Sequence, residues 1–243
     1  NADDFEKDKS GKGNDWTKTN FTGTSINPDV LKDSPSGAVS GGRAQTGITT
    51  TSSAPANYAT FNPVDDAGTA GLTLSYGNLS YTNSSSDANN TQIGTLSLNN
   101  GKFYFENLLT AAADVPGSTS VRFGITRNSS DSSSDIIIYN ATGQVDVLGT
   151  SDTNPSSYTA NNVIGLAVDC INGSVEFFKD NVSTGIKTFT VGTDTWSPFL
   201  RIYKGGSNDI NGTINFGQKP FKYAPPQGFL PLNSATVRPN TVV

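Results

Sequence analysis

The chain contains no histidine and no methionine, a single cysteine, and charged residues at only 15% of its 243 positions. Each shortage removes a class of chemistry. Without imidazole there is no Ser-His-Asp or Cys-His arrangement, no side chain that titrates unperturbed near neutrality, and the commonest zinc ligand is missing. The lone Cys170 closes no intramolecular disulfide. It alternates with Ile164, Leu166 and Val168 and reads as a small buried hydrophobe. Glutamates are restricted to Glu6, Glu106 and Glu176, and no Glu-x-Asp-x-Glu strand sets carboxylates on one face as glycoside hydrolysis requires. Asp65-Asp66 and the Asp131, Asp135 pair sit in polar segments without an Asp-x-Asp-x-Asp-Gly loop and read as solvated aspartates. The expectation is a protein that is not an enzyme, with no catalytic residue, no metal site and no cofactor.

Long apolar runs are also missing. Ile136 to Tyr139 is among the longest, far short of the roughly 20 residues that cross a bilayer. A formal charge of −5, without any cluster of Lys and Arg, argues against a nucleic-acid partner. Neither nucleic acid nor membrane insertion is expected. The chain opens on Asn1 and has no methionine anywhere, so it reads as a piece of a longer or processed polypeptide.

What the sequence does have is Ser, Thr, Asn and Gly punctuating short alternating segments. Residues 1–57 are polar and glycine-rich and read as an extended arm or linker, with Trp16, Phe21, Val30 and Leu31 as docking points. Strand-like segments then follow: Tyr58 to Phe61, Leu72 to Tyr76, Asn78 to Thr82, Thr91 to Leu98, Lys102 to Leu109, Ser120 to Thr126, Ile136 to Tyr139 and Gln144 to Leu148. They continue through Val163 to Cys170, Ser174 to Lys179, Gly185 to Val191, Phe199 to Tyr203 and Thr213 to Phe216. Such spacing predicts an all-β protein, a two-sheet antiparallel β-sandwich over residues 58–230. After the last strand, alternating aromatics and prolines predict a segment running over the sandwich, pinned by Phe221, Tyr223 and Phe229. Residues 231–243 read as a C-terminal tail.

The clearest local signal is "NNVIGLAVDCINGSVEFFKDN", Asn161 to Asn181. A two-residue Asn172-Gly173 turn of the primed type would pair Cys170 with Val175 and Val168 with Phe177 on the core face. It would also oppose Asp169 and Glu176, a like-charge pair needing relief from Arg122, Lys179 or Arg201.

These residues carry a resemblance. "GKFYFE" from Gly101, "RFGIT" from Arg122, "DIIIYNATGQV" from Asp135, the Asn161 to Gly185 hairpin and "INFGQKPFKYAPPQGF" from Ile214 resemble the SPRY family of concanavalin-like sandwiches in order and spacing. Asn161-Asn162 stands where the family has Gly-Asp, and Asp180-Asn181 where it has a second Asn-Gly. Upstream, "DKSGKGNDWTKTNFT", "DVLKDSP" and "NYATFNPVD" are similar to the connector that precedes SPRY-like modules in bacteriophage tail-fibre and virion proteins. The resemblance implies a SPRY or concanavalin-like jelly roll serving as a virion structural protein, a fibre or surface-decoration segment. Its implied partners are other virion proteins, a bacterial surface glycan or protein, and further copies of itself in a homo-oligomer whose arm wraps a neighbour. It carries no catalytic residue.

Contact surfaces are expected on long polar loops near Asn128 to Asp135, Ser151 to Tyr158 and Gly205 to Asn211. The candidate ligand-binding residues are Asp135, Tyr139, Tyr158, Trp196, Tyr203 and Asn208; the aromatics among them flank variable-looking loops. Two rivals stand beside this reading: a polysaccharide-degrading tail protein working through aspartates, and a secreted adhesion or lectin-like domain glycosylated on sequons such as Asn20, Asn78, Asn83, Asn128 and Asn211.

Overall fold

The computed structural model describes residues 12, 57–64, 72–84, 89–98, 100–112, 115, 120–152 and 155–237. The chain divides into two units, Asn1–Asp33 and Ser34–Val243, and the described residues other than Lys12 lie in the second. The expected arm, with Trp16, Phe21, Val30 and Leu31, falls outside the described residues.

The described residues form fourteen strands: β1 (Leu72–Ser75), β2 (Ser80–Asn83), β3 (Asn89–Ile93), β4 (Lys102–Ala111), β5 (Ser120–Arg127), β6 (Ile136–Asn140), β7 (Gln144–Val147), β8 (Thr150–Asp152), β9 (Val163–Asp169), β10 (Ser174–Lys179), β11 (Val182–Thr188), β12 (Trp196–Tyr203), β13 (Ile210–Asn215) and β14 (Leu230–Pro231). They form two sheets. The eight-stranded sheet runs β1-β2-β13-β4-β9-β10-β11, with β14 also beside β4; the six-stranded sheet runs β3-β12-β5-β6-β7-β8. Every pairing is antiparallel except that of β14 with β4. The described residues contain no helix.

Alternation explains the layers. Phe103 and Phe105 of β4, Ile164, Leu166 and Val168 of β9, and Val175 and Phe177 of β10 point inward to meet Val121, Phe123 and Ile125 of β5 in one core. Phe105 meets Phe123 edge to face across the two sheets, with centroids 5.7 Å apart. Burying each such side chain contributes about 1.5–3 kcal/mol. Cys170 is part of this core, and burial pushes its thiol up to about 12, which keeps it uncharged.

Besides shifted bounds at β3 and β11, and Tyr58 and Phe61 forming isolated bridges where a strand was expected, three features differ from the expected pattern. The β9–β10 turn spans four residues, Cys170 to Gly173, so Val168 pairs with Val175 and Phe177 with Leu166. A register change of two residues leaves every side chain on its expected face. The turn is built on Asp169. Its carboxylate accepts the N–H groups of Ile171 and Asn172 at 2.9 and 3.0 Å, and its carbonyl accepts that of Gly173 at 2.9 Å. Gly173 has φ +68°, and a Cβ there would lie 2.2 Å from the Phe189 carbonyl oxygen. Asp169 therefore opposes Ser174 and not Glu176, and its cation is Lys102 at 2.9 Å. The two-residue turn with positive φ at both positions occurs one hairpin later, at Asp180-Asn181.

Second, β12 begins at Trp196, three residues before its expected start. Pro198 lies within this stretch; its carbonyl faces the β3 side and accepts from Gly94 just beyond the end of β3. The missing N–H would have pointed to that same side, so its loss falls past the end of β3 and leaves the β5 ladder intact. Third, residues 231–237 are not a free tail. Leu232 is fully buried, its N–H donates to Phe216 and its carbonyl accepts from Ala59, and Asn233 bridges to Tyr58. Residues 238–243 lie outside the described residues.

The proline-rich segment does run over the outer face of the larger sheet, on an anchor that the sequence did not advertise. Glu106 is buried and accepts the N–H groups of Lys222 at 2.7 Å and Tyr223 at 2.9 Å, with the Tyr104 hydroxyl donating at 3.1 Å. Burial raises the Glu106 carboxyl above its usual range, and these donors pull against that rise. Phe221 stacks edge to face on Tyr104 at 5.0 Å, and the Lys102 ammonium lies 5.7 Å from the Phe229 ring centre.

Candidate functional site

Register places the loops at two ends. One, the Asp169 end, carries residues 94–101, 128–135, 170–173 and 189–195, whereas the β1–β2 turn, residues 76–79, lies level with Asn107 in the middle of β4. The other, the Asp180 end, carries residues 141–143, 155–162, 180–181 and 204–209. Of the three loops expected to form a contact surface, 128–135 therefore lies at the opposite end of the sandwich from 151–158 and 205–211.

The candidate residues separate accordingly. Asp135 sits at the Asp169 end, bonded by the Ser130 hydroxyl at 2.7 Å and the Arg127 guanidinium at 2.6 Å; both hold its carboxyl below the usual range. Arg127 also reaches Asp194 at 3.4 Å, and Arg201 reaches Asp131 at 3.0 Å. The serine-rich loop is stapled from both sides.

Trp196 was expected to face outward but is fully buried. Its indole N–H donates to the Val191 carbonyl at 3.4 Å and its ring meets Phe189 at 4.7 Å. Tyr139 and Tyr158 are likewise buried in the core and not on an exposed surface, although Tyr139 also reaches the lining of the hollow at that end. Their rings meet at 5.0 Å. The Tyr158 hydroxyl donates to the carbonyls of Val121 at 2.9 Å and Tyr139 at 3.0 Å, while the Tyr139 hydroxyl donates to that of Ser156. An aromatic beside a polar loop is more valuable sealing the end of the core than lying on water, and each hydroxyl finds a carbonyl. Burial raises both phenols, so they stay protonated donors. Tyr203 is half-buried at the end of β12, and Asn208 is exposed in the loop after it.

The Asp180 end holds a hollow of about 490 Å³ where β11 faces the smaller sheet, lined by Tyr139, Pro155, Ser156, Lys179, Asp180, Val182, Ser183 and Thr184. Its wall is rigid. Asp180 accepts the Val163 N–H at 2.8 Å and the Asn162 amide at 2.6 Å, and Lys179 donates to the Ser157 carbonyl at 2.6 Å. Lys187 pairs with Asp152 across the sheet edges. Val182 on the rim is 69% exposed. Of these residues the sequence singled out Tyr139, and Pro155 and Ser156 within the 151–158 loop; the β10–β11 side of the lining came together through the bulge and the tight turn, and no linear motif spells it.

The described carboxylates are engaged in structure: Asp146 with Ser151, Glu176 with Ser183, Asp209 with Lys204, and the others as above. Chemically the arrangement offers shape, hydroxyls and apolar surface.

Comparison with solved structures fits this architecture. The SPRY domain of human HERC1 matches with a TM-score of 0.53 at 16% identity, covering 63% of this chain and 96% of that domain. The fold is SPRY-like. The TRIM65 PSpry domain and stonustoxin match with TM-scores of 0.48, at 12% and 15% identity, each over 65% of this chain and over 90% and 27% of theirs. No family model matches the sequence, and no curated protein does.

Proposed function

We propose that this protein is a non-enzymatic recognition module of a bacteriophage virion, a fibre or surface-decoration segment that holds a bacterial surface ligand or a neighbouring virion chain. The observation that carries the recognition half is the combination of hydrogen-bonded loops with described carboxylates committed to structural partners, which leaves a shaped surface and, among the described residues, no carboxylate poised for proton transfer. The SPRY-like fold supports binding as the mode of action. The virion setting rests on the upstream connector-like segments.

The test is incubation of the purified protein with bacterial surface polysaccharide and with intact cells, following retention and reducing ends together. Saturable retention without new reducing ends is expected. Accumulating reducing ends would establish the polysaccharide-degrading reading in its place. Against the secreted, glycosylated alternative stands Asn83, fully buried and accepting the Asn90 amide at 3.0 Å, where no glycan fits.

A further inference from the structure

Tyr76 breaks a local rule without visible compensation. It occupies the β1–β2 turn with φ +50°, followed by Gly77 at +68° and Asn78 at +61°. Left-handed backbone is cheap for Gly and tolerated by Asn, but it is costly for a bulky side chain. The ring is nevertheless 83% exposed and makes no hydrogen bond or ring contact with the described residues. Val64, 89% exposed, lies on the adjoining segment, which is tied to the same turn by the Phe61 N–H donating to the Asn78 carbonyl at 3.1 Å. These are the two most exposed large apolar side chains among the described residues. Strain spent on presenting an apolar tip to water points to a contact made elsewhere.

A convex tip needs a concave partner, and this chain carries one. The hollow at the Asp180 end combines apolar Pro155 and Val182 with the hydroxyls of Ser156, Ser183 and Thr184, a lining suited to an aromatic ring with a polar end. Strand order sets tip and hollow at opposite edges of the larger sheet, β1 and β11. They cannot meet within one molecule.

We infer that Tyr76 docks into the Tyr139–Val182–Thr184 hollow of a second copy of this chain. The contact is heterologous, so copies join head to tail and build a ring or a filament. This rests on the inter-subunit side of the recognition reading and names its two surfaces.

Sedimentation of the full chain over a wide concentration range tests it. Association that grows with concentration is expected, and Tyr76→Ala and Val182→Arg should each weaken it about 30-fold or more. Mixing the two variants should restore a dimer that grows no further, because each retains one intact surface. Tyr76→Gly, which relieves the backbone, should lose association while melting no earlier, which separates a lost contact from a lost fold. A monomer at every concentration, association indifferent to Tyr76, or no dimer on mixing would overturn the assignment. None of those outcomes alters retention on cells, which reports the host-ligand side of the reading separately.

Discussion

The two ends of the sandwich solve the same problem, closing strands in water, with opposite surfaces. At the Asp169 end the turn is four residues long and built on a buried carboxylate, and Ile171 projects outward, as Tyr76 and Val64 do near the β1 edge. At the Asp180 end a two-residue turn is held by its own Asp180, and aromatic residues withdraw beneath the loop to leave a hollow. The difference teaches that aromatic content does not locate a surface. Tyr139 and Tyr158 serve the core because carbonyls wait for their hydroxyls, whereas Tyr76 finds nothing to lean on.

The comparison breaks first if the withdrawn aromatics are dispensable. Tyr158→Ala should cost about 3–5 kcal/mol in urea unfolding, and Tyr158→Phe less, since the ring stays while two hydrogen bonds go. A Tyr158→Ala protein of normal stability that fails to bind would restore the surface role given up here. Next comes the strap. Glu106→Ala leaves the Lys222 and Tyr223 N–H groups without their acceptor, at about 2–4 kcal/mol, with earlier proteolysis near residue 222 as a local readout.

The Asp169 turn sharpens the contrast through pH. Desolvation alone would raise this carboxyl, but the Lys102 pair and the donors from Asn172 and Ile171 outweigh it and bring its pKa to about 2. A carboxyl lowered on folding stabilises above its unfolded value of about 3.9 and loses that contribution as pH falls toward 2. Asp169→Asn should flatten the fall in the denaturation midpoint across that window; an unchanged slope would mean that other carboxyls govern it. The smallest effect concerns Tyr76→Gly, expected to raise stability by roughly 0.5 kcal/mol as left-handed strain is relieved against added chain entropy. A loss of 1 kcal/mol would show that the ring is packed after all.

Much of the fold was legible because its code is local. Alternation in "VIGLAVD" and "SVEFF" sets the inward faces whatever the turn length, so the misjudged Asn172-Gly173 turn moved the pairing by two residues and no side chain across the sheet. Short β8 and β14 escaped notice because three and two residues carry no periodicity, and each is defined by its neighbour. The site was far less readable. Asp135 and Asn208 sit on polar loops as expected, yet those loops lie at different ends, a fact that only register reveals. Tyr76 was read as the end of a strand; the signal that marked it was the aromatic standing directly before Gly77-Asn78, a pair built for positive φ.

Electron cryo-microscopy of the self-associated protein tests the central contrast most directly. Copies should stack head to tail, with Tyr76 of one seated between Val182 and Ser156 of the next; like surfaces facing each other, or an empty hollow at the contact, would contradict the docking of tip into hollow.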